Sequence, residues 1–134
     1  MNKKEVQMNS IMESISKSGR YIYTIPLIMF GVSHFTQAEK MAGMVPVPGG
    51  VFWVYFTGVA MLAAAVGIIT NFKGLGALAA FLTGVLMLIY AFTVHLPHLM
   101  HAQDEAQRMV PMISFLKDLG LAGGAWAIAR LMKA

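Results

Sequence analysis

Four long apolar runs, joined by polar connections, constrain this 134-residue chain more than any other feature. They extend from Tyr21 to Phe35, Val51 to Thr70, about Leu75 to Val94 and about Pro111 to Leu131. A bilayer core of ~30 Å needs ~20 apolar residues in a helix. The second and third runs meet that length. The first has 15 residues and is expected to gain a turn at either end, with Pro26 as a point of kinking. The fourth is interrupted by Lys117 and Asp118. Charged residues are 12% of the chain, against roughly 25% in soluble domains. With 57% hydrophobic residues and a mean hydropathy of +0.66, this excludes a disordered tail, a disulfide-stapled secreted scaffold and an ordinary soluble domain. The expected fold class is all-α: a transmembrane four-helix bundle in a single domain over 1–134, with spans at about 20–37, 51–70, 75–95 and 111–131.

The connections carry their own signals. Residues 36–50 hold two prolines and a Gly-Gly pair and read as a long loop. Residues 71–74 (NFKG) read as a tight turn, and 95–110 as a polar connection in which Pro97 ends the third span or opens a short interfacial helix. Pro111 then suits the first turn of the fourth span. Ahead of the first run, Met8, Ile11, Met12 and Ile15 fall at i, i+3, i+4 and i+7. This predicts a short N-terminal amphipathic helix suited to the membrane interface. Lys3 and Lys4 lead into a polar stretch with no small-x-small site after it, so the first span is expected to stay uncleaved.

Charge sets the expected orientation. With the N-terminus inside, Lys3, Lys4, Lys17, Arg20, Lys73, Arg130 and Lys133 lie on the inner side, and Lys40 and Arg108 on the outer. Seven against two favours N-in and C-in. The net charge of +4 follows from these flanks, and no basic stripe or zinc spacing points to nucleic acid. Cysteine is absent, which excludes thiolate chemistry, so any redox work needs a bound cofactor or a partner. Small residues repeat at helix-packing spacing: Ala60 and Ala64; Gly76, Ala80 and Gly84; Gly120 and Gly124; Gly123 and Ala127. Such faces let backbones approach closely, within the bundle or across a homodimer.

The expected sidedness gathers the chemistry. His34, His95, His98 and His101 all fall on the outer side, and Lys117 and Asp118 lie about two turns down the fourth span from it. Ionisable residues within a span mark functional sites by default. Two chemistries suit the cluster. A histidine can donate to a quinone oxygen and pass protons near neutrality, with Phe35, Phe52, Trp53, Tyr55 and Tyr90 as an aromatic wall. Copper suits thioether plus imidazole, and Met41, Met44, Met100, Met109 and Met112 share the side of the histidines; methionine also fills gaps in apolar cores. Haem needs histidines facing across the bundle, and these sit at its rim.

Gly31-Val-Ser-His34-Phe35, Met44-Val45-Pro46, Pro48 and Tyr55-Phe-Thr57-Gly58 resemble the DoxX family of small bacterial membrane proteins. The similarity covers roughly residues 20 to 131, with the motif within 31 to 58, and the matched positions are Gly31, His34, Phe35, Pro46, Tyr55 and Gly58. The resemblance implies a four-span bundle of the cytoplasmic membrane. It also implies an association with membrane oxidoreductase assemblies, the family taking its name from a related subunit of thiosulfate:quinone oxidoreductase. Many members carry a Glu where this chain has Met61, and His95-Leu-Pro97-His98 is richer in histidine than the family at large.

The leading expectation is an integral membrane subunit of a quinone-linked oxidoreductase system. His34 and His95 hold or protonate the headgroup, His98 assists, Tyr55 contributes to the wall, and Lys117 and Asp118 tune the site. No complete catalytic constellation is present, so a cofactor-binding rather than a catalytic role is expected. The alternative is a non-catalytic anchor or assembly factor with a membrane or periplasmic protein partner; copper or haem handling at the rim comes third.

Overall fold

The computed structural model describes residues 2–133. It is all-helical, with no strand among the described residues: α1 (Lys3–Ser16), α2 (Gly19–Thr36), α3 (Ala38–Ala42), α4 (Gly50–Thr70), α5 (Gly76–Tyr90), a π-helical turn (Ala91–His95), α6 (Leu96–His101) and α7 (Glu105–Lys133). Three helices are long and apolar enough to cross a membrane: Gly50–Thr70, the continuous Gly76–His101, and Glu105–Lys133. Their outward faces leave large apolar side chains uncovered, including Phe52, Phe56, Val66, Leu82 and Phe92. Soluble monomers rarely expose apolar surface on this scale. Helix α2 is not among the three, because Arg20, His34 and its Tyr and Thr side chains dilute an otherwise apolar segment.

Local chemistry explains the boundaries. Asn2 and Glu5 form a reciprocal capping box at the start of α1, which buries none of its residues and leaves Met8, Ile11, Met12 and Ile15 exposed. Asn71 ends α4 in the left-handed conformation, and its Oδ1 accepts the Gly76 N–H at 3.0 Å, so one residue stops one helix and caps the next. The expected tight turn at 71–74 is therefore present, as a 3₁₀ turn. Two connections differ from expectation. The 36–50 loop contains α3, and the polar stretch 95–110 is nearly all helix, leaving only 102–104 as a link. Pro97 opens α6 without breaking the run, and Pro111 lies well inside α7 rather than in its first turn.

Packing is pairwise and close. α2 lies along α4, α5 along α7, and α4 contacts α5. Gly31 and Gly58 mark the α2–α4 crossing: a Cβ on Gly58 would stand 2.8 Å from the Phe35 ring and 3.1 Å from the Gly31 carbonyl oxygen. The buried face of α4 is Val54, Thr57, Gly58, Met61, Ala65 and Ile68, so Gly58 rather than Ala60 and Ala64 provides the close approach. On α5 the Gly76, Ala80 and Gly84 face is buried as the spacing predicts. The α7 glycines divide. Gly124 packs on Tyr23, whereas Gly120 and Gly123 have open space beside them. Two buried layers result. One joins Leu27, Ala65, Ile68, Ala80, Ile128 and Ala129; the other joins Met61, Met87 and Ala122 and lies nearer the histidines in sequence.

Gly58→Val should lower the thermal stability of the detergent-solubilised protein by about 1–3 kcal/mol, the usual range for forcing extra methyls into a packed contact. Gly120→Val, placed in open space, should stay within roughly 0.5 kcal/mol of the parent.

Candidate functional site

The site begins with a backbone irregularity. Pro97 has no N–H to give the Thr93 carbonyl four residues back, and its ring crowds that carbonyl. The chain widens ahead of it into the π turn Ala91–His95, where the Leu96 N–H reaches back five residues to the Ala91 carbonyl. Such turns recur at functional sites because they re-aim side chains without ending the helix. Phe92 meets Phe115 of α7 edge-on at 5.8 Å, holding the widened turn against its neighbour.

The consequence shows in the histidines. His34, His98 and His101 each donate Nδ1–H to the carbonyl four residues back, at 2.6, 2.6 and 2.7 Å. For His95 that carbonyl belongs to Ala91 and is engaged by Leu96. The His95 ring turns across the helix interface instead, with Nε2 3.3 Å from Asp118 Oδ2. Asp118 is 2% exposed. Its Oδ1 lies 3.3 Å from Lys117 Nζ, and that ammonium sits 4.2 Å above the Phe30 ring centroid of α2. Oδ2 has the imidazole beside it but no donor aligned as a hydrogen bond. Lys117, about a third exposed, is the one Lys or Arg paired with this carboxylate among the described residues.

A second polar pair stands one turn away. The Tyr90 hydroxyl meets Thr57 Oγ1, which itself donates to the Trp53 carbonyl at 2.8 Å. Tyr90 and Phe30 both pack on the buried Met61, Met87 and Ala122 layer. Residues from α2 (Phe30), α4 (Thr57), α5 (Tyr90), the π turn (His95) and α7 (Lys117, Asp118) thus form one cluster of fixed geometry. It can hold a proton on His95 or Asp118, or offer a carboxylate and an imidazole to one polar headgroup.

Of the side chains singled out from sequence, the structure brings together His95, Lys117 and Asp118. His34 stays with its own helix, its Cβ against Gly58, and makes no polar contact with His95. His98 is exposed and bonded back to Val94. Tyr55 packs on Phe35 at 5.7 Å and lines a separate open cleft of about 480 Å³ with Phe35, Thr36, Gln37, Glu39 and Lys40. His34 and His95 therefore make no direct bond to each other among the described residues. Thr57 and Phe30 join the site without having been expected there. A threonine in an apolar run is the available signal for the first, and nothing in the sequence marks the second. No group of three His, Asp or Glu side chains that could hold a metal occurs among the described residues.

Lys117→Met strands the Asp118 carboxylate without its cation. Breaking a buried pair costs 3–5 kcal/mol, and the partial exposure of Lys117 brings the expected loss to roughly 2 kcal/mol. Adding Asp118→Asn removes the stranded charge and should restore most of that loss in thermal unfolding of the solubilised protein.

Comparison with known proteins gives no match to a family model, a curated protein or a solved structure.

Proposed function

We propose that this chain is a DoxX-like integral membrane subunit of a quinone-linked oxidoreductase system, in which His95, Asp118 and Lys117 form a proton-handling site in the outer half of the membrane. In this reading α2, α4, α5–α6 and α7 form a transmembrane four-helix bundle of a bacterial inner membrane, N-in and C-in, with α1 in the inner interface. The observation that carries the reading is Asp118: a carboxylate 2% exposed, within a helix apolar enough to cross a membrane, with one oxygen lacking an aligned donor. A carboxylate retained for structure alone is normally satisfied at both oxygens. Burial of one oxygen beside an imidazole suits a group that exchanges protons with a ligand or with that imidazole.

A quinone supplies two-electron chemistry coupled to proton uptake and release. The residues present fit such a headgroup: His95 presents the one imidazole not committed to its own helix, Asp118 lies beside that ring, and Lys117 pairs with the other carboxylate oxygen. The Tyr90–Thr57 pair closes the apolar side. His98 and Tyr55 take no part in this site, since both turn elsewhere.

A short-chain ubiquinone analogue, titrated into the solubilised protein and followed by intrinsic fluorescence, tests the reading. His95→Ala and Asp118→Asn should each weaken binding about tenfold or more, as for loss of a charge-assisted hydrogen bond. His98→Ala should leave it unchanged. Equal binding in all three would remove the quinone reading.

One observation favours the assembly reading as a second. Gly120, Gly123 and Ala127 lie exposed along one face of α7, a small-residue strip with room for another helix. Gly123→Leu should then dissociate a co-purifying partner or dimer while quinone binding persists.

A further inference from the structure

At the end where α5 begins and α7 finishes, these two helices enclose a groove of about 690 Å³. Its α7 lining begins at Trp126, eight residues or about 12 Å along the helix from Asp118 at ~1.5 Å per residue. Its walls are apolar: Leu78, Phe81 and Trp126 line it, and each is at least two-fifths exposed. The aromatic wall is held in place. The Phe81 and Trp126 rings stack at 6.1 Å, and the indole Nε1–H donates to the Phe81 carbonyl at 3.2 Å. Behind it, Gly84 leaves the room the indole occupies.

The mouth of the groove is cationic. Arg130 and Lys133 line it, and neither forms an ion pair among the described residues. Lys73, in the turn that leads into α5, lies close in sequence to the lining residue Gly74. No Asp or Glu follows Asp118 in the sequence, and the nearest such residue before Gly74 is Glu39. Cations in a last helical turn complement the helix dipole, and flanking cations follow from orientation. Neither rule accounts for an aromatic-walled channel leading up to them. A long apolar wall that ends in unpaired positive charge is the complement of an amphiphile with an acyl chain and an anionic head.

We propose that this groove holds one anionic phospholipid, its chain along Leu78, Phe81 and Trp126 and its phosphate between Arg130 and Lys133. The inference rests on the membrane placement of α5 and α7 and is independent of the quinone reading. Basic pockets between membrane helices recognise anionic head groups through this combination of charge and apolar contact.

Trp126 reports on its own site. The chain has two tryptophans, so Trp53→Phe leaves Trp126 as the only one. The full-length Trp53→Phe protein is reconstituted in phosphatidylcholine vesicles, and brominated phosphatidylglycerol or brominated phosphatidylcholine is added as the quencher. Phosphatidylglycerol should quench Trp126 with a relative affinity about 25-fold above phosphatidylcholine, since each of the two cations near the surface contributes about a fivefold preference. Arg130→Gln with Lys133→Gln should bring the ratio close to one. Phosphatidylcholine quenching retained in that variant shows that the groove is still formed. Lys3→Gln with Lys4→Gln removes the same charge elsewhere and should leave the ratio intact. A ratio near one in the parent overturns the proposal. An equal loss in the Lys3/Lys4 control assigns the preference to general surface charge and also overturns it. Full displacement by glycerol phosphate at concentrations matching the lipid would make this a free-anion site, with no role for the apolar wall.

Discussion

The close seam between α5 and α7 is the contact on which the rest of the molecule depends. Gly84 has no side chain where the Trp126 indole lies, and Ala80, Ala122, Ala125 and Ala129 keep both helix faces small. Without water to drive association, helices in lipid gain their contact energy from such backbone proximity. The seam continues past its glycine to the π turn, and that continuation carries Asp118 to His95. A bulky residue at Gly84 would displace the indole.

The π turn converts this packing into chemistry. One extra residue in a turn rotates the downstream helix by about 100°, the angular step per residue of an α-helix. The same turn engages the Ala91 carbonyl that would otherwise hold the His95 ring. The other three imidazoles are tied to their own backbone, and the one freed is the one facing a buried carboxylate. Proline supplies the local cause, and the reach of α7 supplies the partner. Within this apolar segment the Lys117 ammonium has both the Asp118 carboxylate and the Phe30 ring to meet.

The two ends of the α5–α7 seam differ in character. One end concentrates titratable groups and excludes water from Asp118. The other opens into an aromatic groove with unpaired cations. Lys73, Arg130 and Lys133, cations flanking the apolar runs, gather at this second end. The helix pair thus carries a buried polar cluster toward one end and an aromatic, cation-rimmed groove at the other.

Much of this was legible in the residues. Apolar runs of helical length, the NFKG turn, the amphipathic N-terminal segment and the small-residue faces of α5 all reflect local preference and spacing, which act between neighbours in the chain. Lys117 and Asp118 also stood out, because charge inside an apolar run is costly wherever the helix goes. What the residues alone left open was which of the four histidines meets Asp118, that α7 begins at Glu105, and that Gly120 and Gly124 serve different surfaces. Those outcomes depend on helix rotation and on neighbour choice. Sequence spacing places a residue on its own helix, but only packing between helices far apart in the chain selects the side chain it will face.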